Sequence, residues 1–282
     1  MRDLRTIRIF LSVLFLAASV ATLFIGSGVT PMAAIAGRMQ IIPSALATTI
    51  GATGFWLVAT FVFGRIYCSS VCPLGALQDS ADWLRRRILR SRRAGGSLNP
   101  RRRRQITPYS WQPQAGRWRT LVLLAYVVCL LLGLLSIATI LEPWNLLRSA
   151  ARLTNREADA PWLMLAADAG LGALLALLAV VAIWVGALLK GRPFCTEVCP
   201  IGTTLGYLST RTLYHIEIDP DRCTNCMRCE AVCKVQGISV KDRIVDNSRC
   251  VRCFDCLKVC ADDAIRFQST RNRRVTPLMD KT

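Results

Sequence analysis

A single histidine, His215, occurs in 282 residues, and it lies outside every long apolar run. A membrane haem held between two histidines is excluded, because one imidazole cannot supply both axial ligands. Acids are scarce as well, with 18 Asp and Glu against 36 Lys and Arg, a formal charge of +18. No grouping of nucleophile, general base and orienting acid is found, which argues against a stand-alone enzyme. Yet 52% of the residues are hydrophobic, so apolar and basic residues are segregated into blocks.

Cysteine, by contrast, is plentiful, and its spacing is regular. Cys223, Cys226, Cys229 and Cys233, then Cys250, Cys253, Cys256 and Cys260, spell C-x2-C-x2-C-x3-C twice. That is the spacing of a bacterial two-cluster ferredoxin, in which the fourth cysteine of each run ligates the other cluster. The expected ligands of one [4Fe-4S] cluster are therefore Cys223, Cys226, Cys229 and Cys260, and of the second Cys250, Cys253, Cys256 and Cys233. The flanks repeat too, Asp219-Pro-Asp-Arg-Cys223 being answered by Asp246-Asn-Ser-Arg-Cys250. Zinc sites pair their ligands differently, with a longer spacer, and a disulfide framework would be looser and would need an oxidising compartment. The proline customary after the fourth cysteine is Lys234 in one half and Ala261 in the other.

Four apolar stretches, at about 7–26, 45–64, 120–141 and 165–189, reach the ~20 residues that a helix needs to cross a bilayer. The first exceeds the ~7–15 residue core of a signal peptide and has no small-x-small cleavage site before Pro31, so it is expected to be retained. Thirteen basic residues lie between Arg65 and Arg119, whereas the first loop offers only Arg38 and the last balances Arg148, Arg152 and Arg156 with acids. The positive-inside rule then puts both termini and the ferredoxin domain in the cytoplasm of a multi-pass protein of a bacterial inner membrane, with two short loops outside.

A longer repeat closes the second and fourth stretches. Gly64-Arg-Ile-Tyr-Cys68-Ser-Ser-Val-Cys72-Pro-Leu-Gly75 matches Gly191-Arg-Pro-Phe-Cys195-Thr-Glu-Val-Cys199-Pro-Ile-Gly202. The membrane region reads as two parallel copies of helix, helix, C-x3-C-P, related by an axis along the membrane normal. If helical, each C-x3-C puts both thiols on one face, and Cys68, Cys72, Cys195 and Cys199 would converge across the axis. Four readings stay open: a further iron–sulfur cluster, a dithiol relay, a Cu(I) site, or a structural helix exit.

The paired C-x3-C-P motifs, the eight ferredoxin cysteines and the four spans together resemble the NapH-type membrane ferredoxins, a group that includes the MauN type and the C-terminal half of the nitrous oxide reductase regulator NosR. The resemblance implies an electron-transfer subunit that relays electrons between cytoplasmic-side clusters and a quinone pool or partner redox complex, with a soluble donor or acceptor. The copper proteins of the CcoG type share both motif kinds, which makes a copper-handling or metalloenzyme assembly factor the alternative. A redox sensor is a third.

The fold class expected is thus an α-helical polytopic membrane protein, with four transmembrane helices in two parallel repeats and a C-terminal α+β two-[4Fe-4S] ferredoxin domain. Its parts are a first membrane repeat (1–94), a basic linker (95–116), a second repeat (117–212), the ferredoxin domain (213–270) and a tail (271–282). Residues 74–92, with Leu74, Leu77, Ala81, Leu84 and Ile88 at helical spacing, are expected to lie on the inner leaflet as an amphipathic helix. The Arg101–Arg104 run beside them is read as lipid-facing rather than a nucleic-acid site. Trp111, Trp118, Trp144 and Trp162 read as interfacial anchors, and Cys129 as a small apolar residue. Glu142 and Asp168 are the acids available to take a quinol proton.

Overall fold

The computed structural model describes residues 2–24, 50–94, 109–113, 116–132, 142–151 and 168–269. Stretches rich in Leu, Ala, Val and Phe give α1 (Arg2–Phe24), α2 (Ile50–Phe63), α5 (Gly116–Leu131) and α7 (Asp168–Lys190). Among the described residues, two segments are long and apolar enough to cross a membrane, Asp3–Leu23 and Gly172–Lys190. The expected spans at 45–64 and 120–141 are represented by α2 and α5, and their remaining residues lie outside the described ones. All four helices leave large apolar side chains uncovered, among them Phe10, Val58, Leu131 and Leu189. Apolar surface of this extent on a folded chain marks a lipid or protein interface rather than water.

Both copies of the repeated motif begin in the same way. α2 and α7 end at Gly64 and Gly191, each with φ of +84°, a conformation that glycine reaches without the Cβ penalty. The first C-x3-C forms the short α3 (Tyr67–Ser70), whereas the second forms a π-helical turn, Phe194–Val198. Pro73 and Pro200 then start α4 (Pro73–Ala94) and α8 (Pro200–Ser209), where a missing N–H costs nothing. α4 packs on α1 and α7, and α8 on α5 and α2. Each C-x3-C-P helix therefore lies between the first apolar helix of its own copy and the second of the other.

α4 is amphipathic as expected, but its placement on the inner leaflet needs correction. Leu74 and Ala81 are fully buried within the protein, against α1, α7 and α6 (Pro143–Ala151), so most of the apolar face meets protein, and Trp83 and Ile88 are its exposed part. Trp144 is buried too rather than interfacial, whereas Trp118 is exposed and Trp162 lies outside the described residues. Trp111 faces Arg249 of the ferredoxin domain at 5.2 Å, its N–H held by Glu230. Gln112 N donates to Gln236 O and Arg249 Nη2 to Gln112 O. The end of the basic linker is thus laced onto the domain. Arg101–Arg104 lie outside the described residues.

In the C-terminal domain β1 (Tyr214–Ile218) pairs antiparallel with β4 (Ile265–Ser269), Ile218 opposite Ile265, and β2 (Ile238–Ser239) with β3 (Ile244–Val245). Two short helices, α9 (Arg228–Ala231) and α10 (Asp255–Val259), pack on each other. The domain sits on the two Gly-Arg pairs. Arg192 N donates to Lys234 O at 2.9 Å, and Arg252 Nε donates to Phe63 O at 3.0 Å. A Cβ on Gly191 would drive into the Lys234 carbonyl, and one on Gly64 into the Arg252 guanidinium.

Gly191→Ala is therefore expected to loosen the ferredoxin domain, the left-handed backbone alone costing about 1–3 kcal/mol. Thermal unfolding and limited proteolysis of the detergent-solubilised protein check this. Gly186→Ala in α7, where nothing stands within 4 Å of the added carbon, is expected to leave both unchanged or slightly improved.

Candidate iron–sulfur site and thiol centre

The C-x2-C-x2-C loops owe their shape to residues that are not glycine. Asn225 and Met227, on either side of Cys226, have φ of 53° and 61°, and Arg252 and Phe254, on either side of Cys253, have 55° and 60°. Left-handed residues without a glycine cost energy and persist where the surroundings over-determine them. Left-handed residues in such a loop can turn amides toward one side, the kind of concavity that holds anionic centres. Neither pair shows in the cysteine spacing, and no glycine betrays it.

Each loop walls one cavity. Cys223, Cys226, Cys229 and Cys260 line the first, with Ile218, Val240 and Ile265 behind them. Cys233, Cys250, Cys253 and Cys256 line the second, among Ile216, Val235, Ile238 and Phe254. In both, the fourth-position thiol accepts an amide bond four residues on, Gly237 N to Cys233 Sγ at 3.4 Å and Ala264 N to Cys260 Sγ at 3.3 Å. Four cysteines in an apolar cup with amides aimed at sulfur are a donor set that fits a [4Fe-4S] cluster. The cups differ in setting. Thr224, Asn225, Met227 and Ala261 around the first are exposed, whereas Val251, Arg252, Phe254 and Lys234 around the second are buried.

Beneath the second cup lie Cys68, Cys72, Cys195 and Cys199, all buried. Cys72 is within electrostatic reach of Cys195 and Cys68, and Cys199 of all three others. Two guanidiniums cross between the motif copies. Arg65 Nη2 donates to Cys195 O and Arg192 Nη1 to Cys68 O, both at 2.8 Å. Gly75 and Gly202 leave room for this, since a Cβ on either would strike the Cys68 or Cys195 carbonyl oxygen. Gln78 Nε2 points at Cys195 Sγ at 3.4 Å, and Cys199 Sγ caps α8 by accepting from Gly202 N. Among the described residues no three His, Cys, Asp or Glu side chains close around a single metal ion, the ferredoxin quartets included.

An ion network joins this centre to the second cup. Asp79 on α4 pairs with Arg8 and Arg192 at 2.6 Å and with Lys234 at 2.9 Å. Asp255, beside Cys256, pairs with Arg5 at 2.6 Å and with Arg86 and Lys234 at 3.3 Å. Burial would raise the Asp79 carboxyl, but Arg192, Lys234 and Arg8 hold it well below the carboxylate range. Arg192 lies within electrostatic reach of both Cys195 and Cys253. Lys234 was marked in the sequence as the residue in place of the customary proline, whereas nothing there singled out Asp79 as its partner.

Of the remaining candidates, Glu142 is buried, accepts from Asn145 and has one oxygen without a partner among the described residues. The side chain of Asp168 lies outside the described residues. His215 is buried on β1 beside Glu217 at 3.0 Å, and Cys129 is half-buried in α5.

Burial pushes the thiols up, Cys195 to about 11 and Cys229 and Cys233 to about 12. A thiol whose folded value exceeds its unfolded one, about 8.5, holds more protons when folded above that pH. Its contribution to stability is full below about pH 8.5 and is lost as pH rises through the folded value. Metal-free protein is therefore expected to melt progressively lower between about pH 8.5 and 11, and protein reconstituted with iron and sulfide, its thiols already deprotonated, to show far less of this slope. Melting curves across that range check it.

Comparison with known proteins agrees with these features. A 4Fe-4S binding domain family matches residues 45–92 and 172–212, covering both C-x3-C-P motifs, and a second 4Fe-4S binding domain family matches residues 215–238. The ferredoxin-type protein NapH of Haemophilus influenzae is 30% identical over 193 residues, 68% of this chain and 55% of the relative. The methylamine utilization ferredoxin-type protein MauN of Paracoccus denitrificans is 25% identical, and NapH of Escherichia coli 27%, over 194 residues and similar shares. The chain spans about half the length of these relatives. No solved structure matches. With its matches to 4Fe-4S binding domain families, the chain is similar to the ferredoxin-type proteins NapH and MauN.

Proposed function

We propose that this protein is a membrane-bound electron carrier with two ferredoxin clusters, held by Cys223, Cys226, Cys229 and Cys260 and by Cys250, Cys253, Cys256 and Cys233, and a third redox centre at Cys68, Cys72, Cys195 and Cys199. One observation carries the third centre. Arg65 is fully buried, and among the described residues no carboxylate stands within ion-pair distance of it. Its acceptors are the carbonyls of Ser248 and Cys195, its Nε has none, and Cys68 Sγ lies 4.0 Å away. A buried cation without a counter-ion costs several kcal/mol, and thiolates of an anionic centre are the charge that would balance it.

Iron–sulfur clusters supply single-electron transfer and ask of the protein thiolate ligands, shielding and a docking surface rather than a base or nucleophile. The chain's residues meet that demand by holding the second cup against the four motif thiols through Gly64, Gly191 and the two arginines. The exposed rim of the first cup is the docking surface for a soluble partner. The uncovered apolar faces of α1, α2, α5 and α7 support four spans in two repeats, and the basic residues that crowd α4 and the linker support a cytoplasmic ferredoxin domain in a bacterial inner membrane. Quinone or a membrane redox subunit is the partner on the bilayer side, in keeping with the ferredoxin-type relatives.

Iron and acid-labile sulfide per chain test this on anaerobically purified protein. The expected result is a clear excess over about eight iron, the content of two four-iron clusters, falling to about eight in Cys68→Ser/Cys195→Ser. About eight in both proteins would overturn the third cluster and turn attention to copper or thiol chemistry at that centre. Reduction of the clusters by a quinol analogue is expected in the same preparation.

A further inference from the structure

The two cysteine cups are near copies in sequence but not in electrostatic setting. After Cys260 comes Ala261, exposed, and the loop around it is exposed as well. After Cys233 comes Lys234, whose ammonium is buried, its side chain 4% exposed, with Asp79 at 2.9 Å, Asp255 at 3.3 Å and Asp82 at 3.8 Å. The backbone at Lys234 is pinned by Arg192 N, so the side chain enters the network from a fixed point. Both it and Arg192 lie within electrostatic reach of Cys253. The motif copies are likewise unequal. Asp79, seven residues after Cys72, corresponds to Gly206, seven after Cys199, and there the Arg119 guanidinium occupies the space a side chain would fill.

Among the described residues, only one cup therefore carries a buried ammonium with a countering carboxylate drawn from the membrane-facing half. The charge around a cluster, along with amide bonds and exposure, governs its reduction potential. A reduced cluster bears one more negative charge, so a fixed cation favours reduction and a fixed carboxylate opposes it. The influence is strong where water does not screen it.

Resting on the cluster reading above, we infer that Lys234 and Asp79 are a potential-setting pair for the cluster at Cys250, Cys253, Cys256 and Cys233, distinguishing it from its twin at Cys223, Cys226, Cys229 and Cys260. They are positioning residues, acting on the cluster through the field they fix and not by ligation. Lys234 is the tuning cation, placed where the customary proline would leave no charge. Asp79 holds that cation and, through Arg192 and Arg8, ties the same field to the C-x3-C thiols.

The test is a mediated redox titration of the full chain in detergent, followed by electron paramagnetic resonance, with iron content measured on each sample. Lys234→Met is expected to move one of the two ferredoxin-cluster midpoints to lower potential and leave the other in place. It should fold, because Asp79 keeps Arg8 and Arg192 and Asp255 keeps Arg5 and Arg86. Lys234→Arg, which retains the charge, is expected to restore most of the shift. Asp79→Asn is expected to move the same midpoint the opposite way. Opposite signs from two members of one ion pair are what a purely structural clamp would not give, since loosening moves both variants alike. Shifts of equal size in both clusters, the same sign in both variants, or no shift in Lys234→Met with iron at the wild-type level would overturn the inference. Wild-type protein holding fewer than about eight iron would overturn the cluster reading beneath it instead. Should Asp79→Asn not fold, the Met and Arg variants of Lys234 still decide the matter.

Discussion

Two buried guanidiniums govern the rest. Arg65 and Arg192 follow the left-handed glycines that end α2 and α7, and each reaches across to a cysteine carbonyl in the other copy of the motif. Burying a charge is tolerated only when it is hydrogen-bonded and balanced. Gly75 and Gly202, seven residues after Cys68 and Cys195, clear the path to those carbonyls. The ferredoxin domain closes the site from above, where Ser248 O accepts from Arg65 and the Lys234 carbonyl from the Arg192 amide. Thiols, arginines and domain docking are thus one arrangement, and a change in any of them reaches the other two.

The same site shows where the symmetry stops. Arg192 has a carboxylate, Asp79, and among the described residues Arg65 has none. In the second copy Gly206 leaves space that Arg119 enters, stacked over Tyr207 at 5.7 Å and bonded weakly to Ser248. One side of the thiol centre is therefore held by ion pairs and the other by cations facing carbonyls and sulfur. An anionic centre between them is favoured by both, most of all on the Arg65 side. The second cup is likewise the one with buried charges around it, while the rim of the first is exposed.

Much of this was legible in the sequence because the chemistry fixes local spacing. The eight cysteines, the C-x3-C-P pairs and the Gly-Arg that precedes them are short-range patterns, and they mark the cups and the thiol centre directly. What was illegible depends on contacts between residues far apart in the chain. Lys234 meets Asp79 across 155 positions and Arg252 meets Phe63 across 189, and no local rule pairs them. The face of α4 was read as lipid-facing because periodicity reports that a stripe is buried, not what covers it. Trp111 fell to the same ambiguity, since an aromatic near a span serves a lipid boundary or a protein one equally well. The left-handed turns beside Cys226 and Cys253 were hidden because they use Asn, Met, Arg and Phe, residues whose presence signals no such conformation.

The choice of arginine over lysine at 65 and 192 follows from the number of acceptors each must reach. Arg192 uses Nη1 for Cys68 O and Nε for Asp79 Oδ1, at 2.8 and 2.9 Å. Arg65 divides Nη1 and Nη2 between Ser248 O in the ferredoxin domain and Cys195 O in the opposite motif. A planar fork meets two fixed acceptors in different directions at once, which a single ammonium on a flexible stem does poorly. Lysine is used where the need is reversed. Lys234 faces three carboxylates converging on one point, and a compact charge with three rotatable donors suits that geometry better than a fork. The division of labour between the cations thus tracks acceptor geometry, spread for the arginines that cross between the motif copies and convergent for the lysine beside Cys233.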